Sequence, residues 1–275
     1  MLRLVIVIAL QLASYSYCYS DSDEELHPAF KQGGLEGKQC LRYDILDYTA
    51  SDPEVTREFA FKLAGCDSLF MSTFPLQDDG ALALSEALAG NNKIEAINVF
   101  DCKLTEVGIK HLSSAFGPTL IALMLGKNAI GDEGAATLAE AFKRVPRLSV
   151  LDVSRSDIGY EGATALFMVL ARHPVLSVLK LERNPSFGDE GAKELARALR
   201  ANRELTIVDV SRCGITDVGA RALLEALRDG AGPKLDVLGL QSNSISDELL
   251  TEIGDVLEQR GRKARDEEKQ EKEEL

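Results

Sequence analysis

A period of about 28 residues runs through most of this 275-residue chain and constrains its fold more than any other feature. Leu120, Leu123, Leu125, Asn128 and Ile130 recur as Leu148, Leu151, Val153, Ser156 and Ile158. The same places hold Leu176, Leu179, Leu181 and Asn184, then Phe187 after a one-residue insertion at Pro185-Ser186. Leu205, Val208, Val210, Cys213 and Ile215 follow, then Leu235, Leu238, Leu240, Asn243 and Ile245. Upstream, Ile94, Ile97, Val99, Cys102 and Leu104 fit, and Cys66, Leu69, Met71, Phe74 and Leu76 form a weaker first copy. Seven copies therefore begin at 66, 94, 120, 148, 176, 205 and 235. The first six carry a glycine in their second half: Gly80, Gly108, Gly134, Gly162, Gly191 and Gly219.

The chemistry of one copy predicts its shape. Apolar residues at the fourth and sixth places alternate with other residues, the pattern of a short strand with one buried face. Asn, Cys or Ser at the ninth place stands where the backbone turns, and its side chain can satisfy buried backbone groups. Capping residues followed by acid come next, as in Thr105-Glu106, Thr216-Asp217 and Ser246-Asp247. An apolar helical stripe such as Ala135, Leu138, Ala139 and Phe142 completes the unit. One copy cannot bury its own apolar face, so the copies must stack. Composition agrees: 40 leucines against 6% aromatic residues suit a repeated small core better than one large irregular core.

On these residues, and on Gly131-Asp132-Glu133-Gly134-Ala135 and Gly188-Asp189-Glu190-Gly191-Ala192, residues 66–257 resemble a leucine-rich repeat array of the ribonuclease-inhibitor-like subfamily. The resemblance implies an α/β solenoid shaped as a horseshoe arc, with a parallel sheet lining the concave side and helices on the convex side. It carries over no functional residue, because the aromatic-rich concave surface of ribonuclease inhibitor has no counterpart here. Residues 40–65 read as an N-terminal cap, with a flanking strand within 41–46 and a helix start at Asp52-Pro53-Glu54.

Both ends read as addresses. Arg3, the apolar run of residues 4–12 and the small residues around Cys18 and Ser20 suit a cleaved secretory signal over residues 1–20. Acidic residues 21–39 form a linker, and residues 258–275 a charged tail. The tail ends on Lys272-Glu273-Glu274-Leu275, which resembles the Lys-Asp-Glu-Leu class of retrieval signals and implies a retrieval receptor and residence in the endoplasmic reticulum lumen. Secretion is the alternative. No later segment has the sustained hydrophobicity of a membrane span. The net charge of −13 speaks against nucleic acid, whose phosphates call for a basic surface.

No catalytic or metal constellation emerges. His27, His111 and His173 fall on different elements, no Cys-x-x-Cys occurs, and no cofactor is implied. The Asp-Glu pairs ahead of Gly134 and Gly191 read as first-turn acids of helices. Cys102 and Cys213 sit at the ninth place as buried members of the turn ladder. Cys40 and Cys66 flank the cap. In an oxidising lumen they can close a disulfide, while Cys66 also fills a core leucine place where a buried thiol would serve equally.

The concave surface carries the functional expectation. Its third place is an apolar row of Ala96, Ala122, Val150, Val178, Ile207 and Val237, expected to be exposed. The fifth place gives Phe70, Asn98, Met124, Asp152, Lys180 and Asp209. Phe100 lies at the seventh place, and the eighth holds Lys127, Arg155, Arg183 and Arg212 in four successive copies. An apolar anchor of Phe70, Phe100 and Met124 beside this basic row suits an acidic or extended protein partner. The expected function is thus a non-enzymatic binding scaffold of the secretory pathway. The alternatives are a regulatory subunit of an enzyme and an acidic, low-affinity calcium-binding protein of the endoplasmic reticulum.

Overall fold

A computed structural model describes residues 39–41 and 66–273, with side chains over residues 66–263. Each repeat contributes a three-residue strand: β2 Ser68–Phe70, β3 Ala96–Asn98, β4 Ala122–Met124, β5 Val150–Asp152, β6 Val178–Lys180, β7 Ile207–Asp209 and β8 Val237–Gly239. A preceding strand, β1 Gln39–Leu41, pairs with β2 with Cys40 opposite Leu69. Leu41 of β1 falls at the start of the 41–46 stretch expected to hold the flanking strand, and β1 also takes in Gln39 from the expected linker. The rest of residues 1–65 lies outside the described residues, as do Glu274 and Leu275.

All eight strands pair in parallel in sequence order. The register keeps the third, fourth and fifth places of every repeat aligned from Ser68 through Val237. Parallel neighbours require a crossover, and each crossover from β2 to β8 contains a helix. These are α1 Gln77–Ala87, α2 Glu106–Ser113, α3 Gly131–Phe142, α4 Tyr160–Leu170, α5 Gly188–Ala201, α6 Asp217–Arg228 and, after β8, α7 Asp247–Glu273. The one-residue insertion becomes a 3-10 turn over Pro185–Phe187 that still delivers Phe187 to the core, edge-on to Phe167 at 6.2 Å. The result is a leucine-rich repeat α/β solenoid.

The apolar side chains divide into two layers. Fourth-, sixth- and eleventh-place residues join the helices' inner faces in one continuous core from Cys66 to Ile253. On the opposite face of the sheet, Ala96, Ala122, Met124, Val150 and Val178 form a second, smaller cluster, with Phe70 and Ile207 packed against it. The expected charged tail is not separate from the array: α7 runs without a break from Asp247 to Glu273. Leu249 and Ile253 of α7 are buried in the main core. Arg260 then donates to the Ala231 carbonyl at 2.7 Å, pinning the helix across the last repeat.

A two-repeat alternation is superimposed on the single-repeat period. Asn128, Asn184 and Asn243 occupy every second ninth place, and each is shared between two repeats. Asn184 accepts from the Ser156 and Ile158 N–H groups, both at 3.0 Å, and donates to the Val153 and Leu181 carbonyls. Asn128 and Asn243 do the same around Cys102 and Cys213. The intervening ninth places need only a small side chain, and Cys102 and Cys213 donate their thiols to the Met71 and Leu181 carbonyls.

Helix starts are also tied across repeats, without that alternation, since Asp217 accepts from Ser246 as Asp189 accepts from Thr216 one repeat earlier. Asp78, Asp132 and Asp189 lie in the first turn of one helix and cap the next. Asp78 and Asp189 accept from the backbone and hydroxyl of Thr105 and Thr216, and Asp132 accepts from Gly159 and Gly162 N–H groups. The glycines of the receiving helices make room for this. A Cβ at Gly162 would lie 2.4 Å from Asp132 Oδ1 and 2.8 Å from Asp132 Cα, and one at Gly219 would lie 2.6 Å from Asp189 Oδ1.

Candidate functional site

The structure sorts the side chains expected to bind a partner into two groups. The third-place row is not the exposed stripe that strand alternation predicts. Ala96, Ala122, Val150 and Val178 are buried, and only Val237 at the last strand is well exposed, at 46%. Met124, the expected anchor, is likewise buried, at 5%. Phe70 is partly buried against the same cluster. Phe100 lies over Gly126, where a Cβ would approach its ring to 2.8 Å. The apolar anchor is thus largely packed into the sheet's own second layer, because strands about 4.8 Å apart bring these side chains into mutual contact.

The polar fifth-place residues are also partly committed. Asn98, Asp152 and Asp209 each accept from the backbone N–H two residues ahead, in Phe100, Ser154 and Ser211, at 2.9–3.0 Å. Lys180 stands between Asp152 and Asp209 in the register. Glu182 adds a third carboxyl near Asp209 and Asp152. Burial pushes its carboxyl above the usual carboxylate range, the Asp209 and Asp152 charges add to the shift, and Lys180 opposes it.

The basic row divides as well. Lys127 donates to Asp101 Oδ2 at 2.6 Å and is neutralised within the sheet face. Among the described residues, Arg155, Arg183 and Arg212 make no ion pair. They share the left-handed backbone of the eighth place, with φ of 52°, 60° and 56°. That conformation belongs to the repeat, since Thr73, Asp101, Lys127 and Ser242 have it too. It lets the eighth-place N–H reach the seventh-place carbonyl of the next repeat, Arg155 to Glu182 and Arg183 to Ser211 at 2.8 Å and Arg212 to Gln241 at 3.0 Å.

Other candidates resolve into structure. The acids of the Asp-Glu pairs, Asp132 and Asp189, are held by donors of the following helix. No group of three or more His, Cys, Asp or Glu residues is placed to hold a metal among the described residues. No helix among them is long and apolar enough to cross a membrane. Cys102 and Cys213 are buried free thiols, whereas Cys66 is disulfide-bonded. The side chain of Cys40 lies outside the described set, as do those of Lys272, Glu273, Glu274 and Leu275. His173 follows the C-terminal end of α4. It is buried, with Nε2 3.1 Å from the Val145 carbonyl and Nδ1 without a partner.

Comparison with known proteins agrees with the repeat geometry. A family described as "Leucine-rich repeat domain" matches residues 168–231, and one described as "Leucine Rich repeat" matches residues 118–139 and 147–167. The chain is similar to human NACHT, LRR and PYD domains-containing protein 13, with 32% identity over 66% of this chain and 15% of that protein. It is similar to human Leucine-rich repeat-containing protein 73, with 32% identity over 69% of this chain and 52% of that protein. It therefore spans about half of one relative and a small part of the other. A chain in the crystal structure of the yeast Rad7 and Elc1 complex aligns with a TM-score of 0.43 and 17% identity, covering 74% of this chain and 63% of that one.

Proposed function

We propose that this leucine-rich repeat solenoid is a non-enzymatic scaffold of the secretory pathway that holds a protein partner on the open face of its sheet. The observation that carries the reading is the row of Arg155, Arg183 and Arg212, which make no ion pair among the described residues. Three cations aligned on successive repeats offer a local basic surface to an acidic partner. The side chains that could do chemistry are tied up elsewhere: acids cap helices, Asn residues close turns and thiols face carbonyls.

The compartment rests on the two ends of the sequence and on cysteine usage. A disulfide at Cys66 accords with an oxidising compartment. We assign Cys40 as its partner, which would staple the first strand to the array. Retrieval would run through Lys272-Glu273-Glu274-Leu275.

Crosslinking capture from a secretory-pathway fraction tests the binding reading. The triple variant Arg155→Glu, Arg183→Glu, Arg212→Glu, folded by circular dichroism, is expected to lose the partners that the native chain captures. Undiminished capture would remove the sheet face as the site. Deleting Leu275 is expected to release the protein into the medium, and continued retention would refute the retrieval assignment.

A further inference from the structure

We infer that the Arg155, Arg183 and Arg212 ladder docks an acidic amphipathic α-helix that lies across the strands, with Asp or Glu at every third or fourth residue. The inference rests on the scaffold reading above and specifies the chemistry of its partner.

The first support is that three arginines aligned on successive repeats make no ion pair among the described residues, as is true of scattered cations such as Lys110, Arg147 and Arg203, while others are paired. Lys143, Lys193 and Lys234 pair with Glu140, Glu190 and Glu204, and Arg200, Arg197 and Arg228 with Asp229, Glu194 and Glu252. Asp152 and Asp209 accept from the backbone of their own strand ends and make no ion pair with the ladder among the described residues.

The second support is backbone strain. The eighth place demands positive φ, a region where Asn, Asp and Gly are at ease and a long side chain costs about 1–2 kcal/mol. Asp101 occupies the second repeat's eighth place, so the array accepts the cheaper residue. Three successive arginines at φ 52°, 60° and 56° are not explained by the backbone they sit on.

The third support is spacing. The eighth-place N–H bonds to the next repeat continue the sheet ladder, so successive arginines are set about 4.8 Å apart. Acids at i, i+3 or i+4 of a helix advance about 4.5–6 Å along its axis, which keeps step over three rungs. Same-face acids of an extended peptide advance about 6.7 Å and fall roughly 4 Å out of step by the third rung. Partly exposed Ile207 and exposed Val237 lie on the same sheet face, where the helix's apolar side would rest.

Fluorescence anisotropy with the full chain tests this. The probe is a synthetic helical peptide of about 20 residues with Glu at i, i+4, i+7 and i+11, set against an isomer of identical composition with Glu at alternate positions. The helical peptide is expected to bind at least about tenfold tighter than its isomer, with affinity falling as salt rises. Arg155→Ala, Arg183→Ala, Arg212→Ala together should lose at least about tenfold, and Lys127→Ala less than about twofold because Lys127 is already paired. The triple Arg→Lys variant controls for folding and should retain part of the binding. Equal binding of the two peptides, tighter binding of the alternating isomer, or full binding by the triple alanine variant would each overturn the inference. If the peptide fails while charge reversal still abolishes capture, the helix chemistry is wrong and the scaffold reading stands. If capture also survives charge reversal, both fall.

Discussion

The carboxylate of Asp189 crosses a repeat boundary to hold Thr216. Oδ1 accepts from the Thr216 backbone N–H at 2.8 Å and Oδ2 from its hydroxyl at 2.7 Å, and Gly219 N–H adds a third bond at 3.0 Å. Desolvation alone would raise this carboxyl, but the donors of Thr216 and Gly219 outweigh it and hold its pKa below the ordinary value of 3.8. Asp189→Ala should destabilise the array by about 2–3 kcal/mol, since hydrogen bonds to a charged acceptor are lost and donors are stranded. A depressed carboxyl contributes stability above its unfolded pKa and loses it as pH falls through the folded value. The gap between native and variant denaturation midpoints should therefore be full at neutral pH and close in strong acid.

Asn184 makes four buried hydrogen bonds that serve two repeats at once. Asn184→Ala should cost roughly 3–5 kcal/mol, because two N–H groups and two carbonyls lose partners in a dry interior. Cys213→Ser should change stability by less than about 1 kcal/mol, as Ser156 already serves in the equivalent place. Urea denaturation of both variants checks the contrast.

Burial pushes the thiols of Cys102 and Cys213 up to about 12. The thiolate is the reactive form, so neither cysteine should alkylate in the native protein at pH 8. Both should label on unfolding. Mass spectrometry of iodoacetamide-treated native and denatured samples reads this directly, and rapid native labelling at either residue would contradict the buried ladder.

His173 is the acid-sensitive point of the third-to-fourth repeat joint. Burial lowers its pKa from the ordinary 6.5, against a smaller opposing effect of the Val145 carbonyl. A base held neutral stabilises fully above its unfolded pKa, and that stability is lost as pH falls from about 6.5 through the folded value. Asn202 fills the corresponding role one repeat later, donating to the Leu170 carbonyl at 2.8 Å. His173→Asn should match the native chain at pH 7.5 and surpass it at pH 5 in urea midpoint.

Much of the architecture was legible because apolar residues at fixed places admit one stacking. Every strand from β2 to β8 falls on the third to fifth places, with the aligned register that seven matching copies require. The open face was harder to read. Strand alternation assigns Val150, Val178 and Met124 to the side away from the helices, which is correct, but it does not reveal that they bury one another. The ionic state of Lys127 was equally hidden, since Asp101 is one repeat away and the pairing depends on two left-handed residues facing each other. Local capping rules place Asp132 and Asp189 correctly in the first turns of their helices, but the donors they serve lie 27 residues ahead, beyond any rule confined to one helix. The alternation of Asn with Cys or Ser at the ninth place was visible in the sequence, and only the shared hydrogen bonds give it meaning.

That alternation has a genetic corollary. Removing one repeat would set two Asn turns or two small-residue turns side by side, so shared bonds would be duplicated or missing. Removing residues 148–204 would instead leave Asn128 serving Cys102, Asn243 serving Cys213 and Asp132 facing Thr216, each in a pairing of a kind the protein already uses. The heritable module of this chain is thus a tandem pair of repeats, and length variants that remain foldable should differ from it by whole pairs.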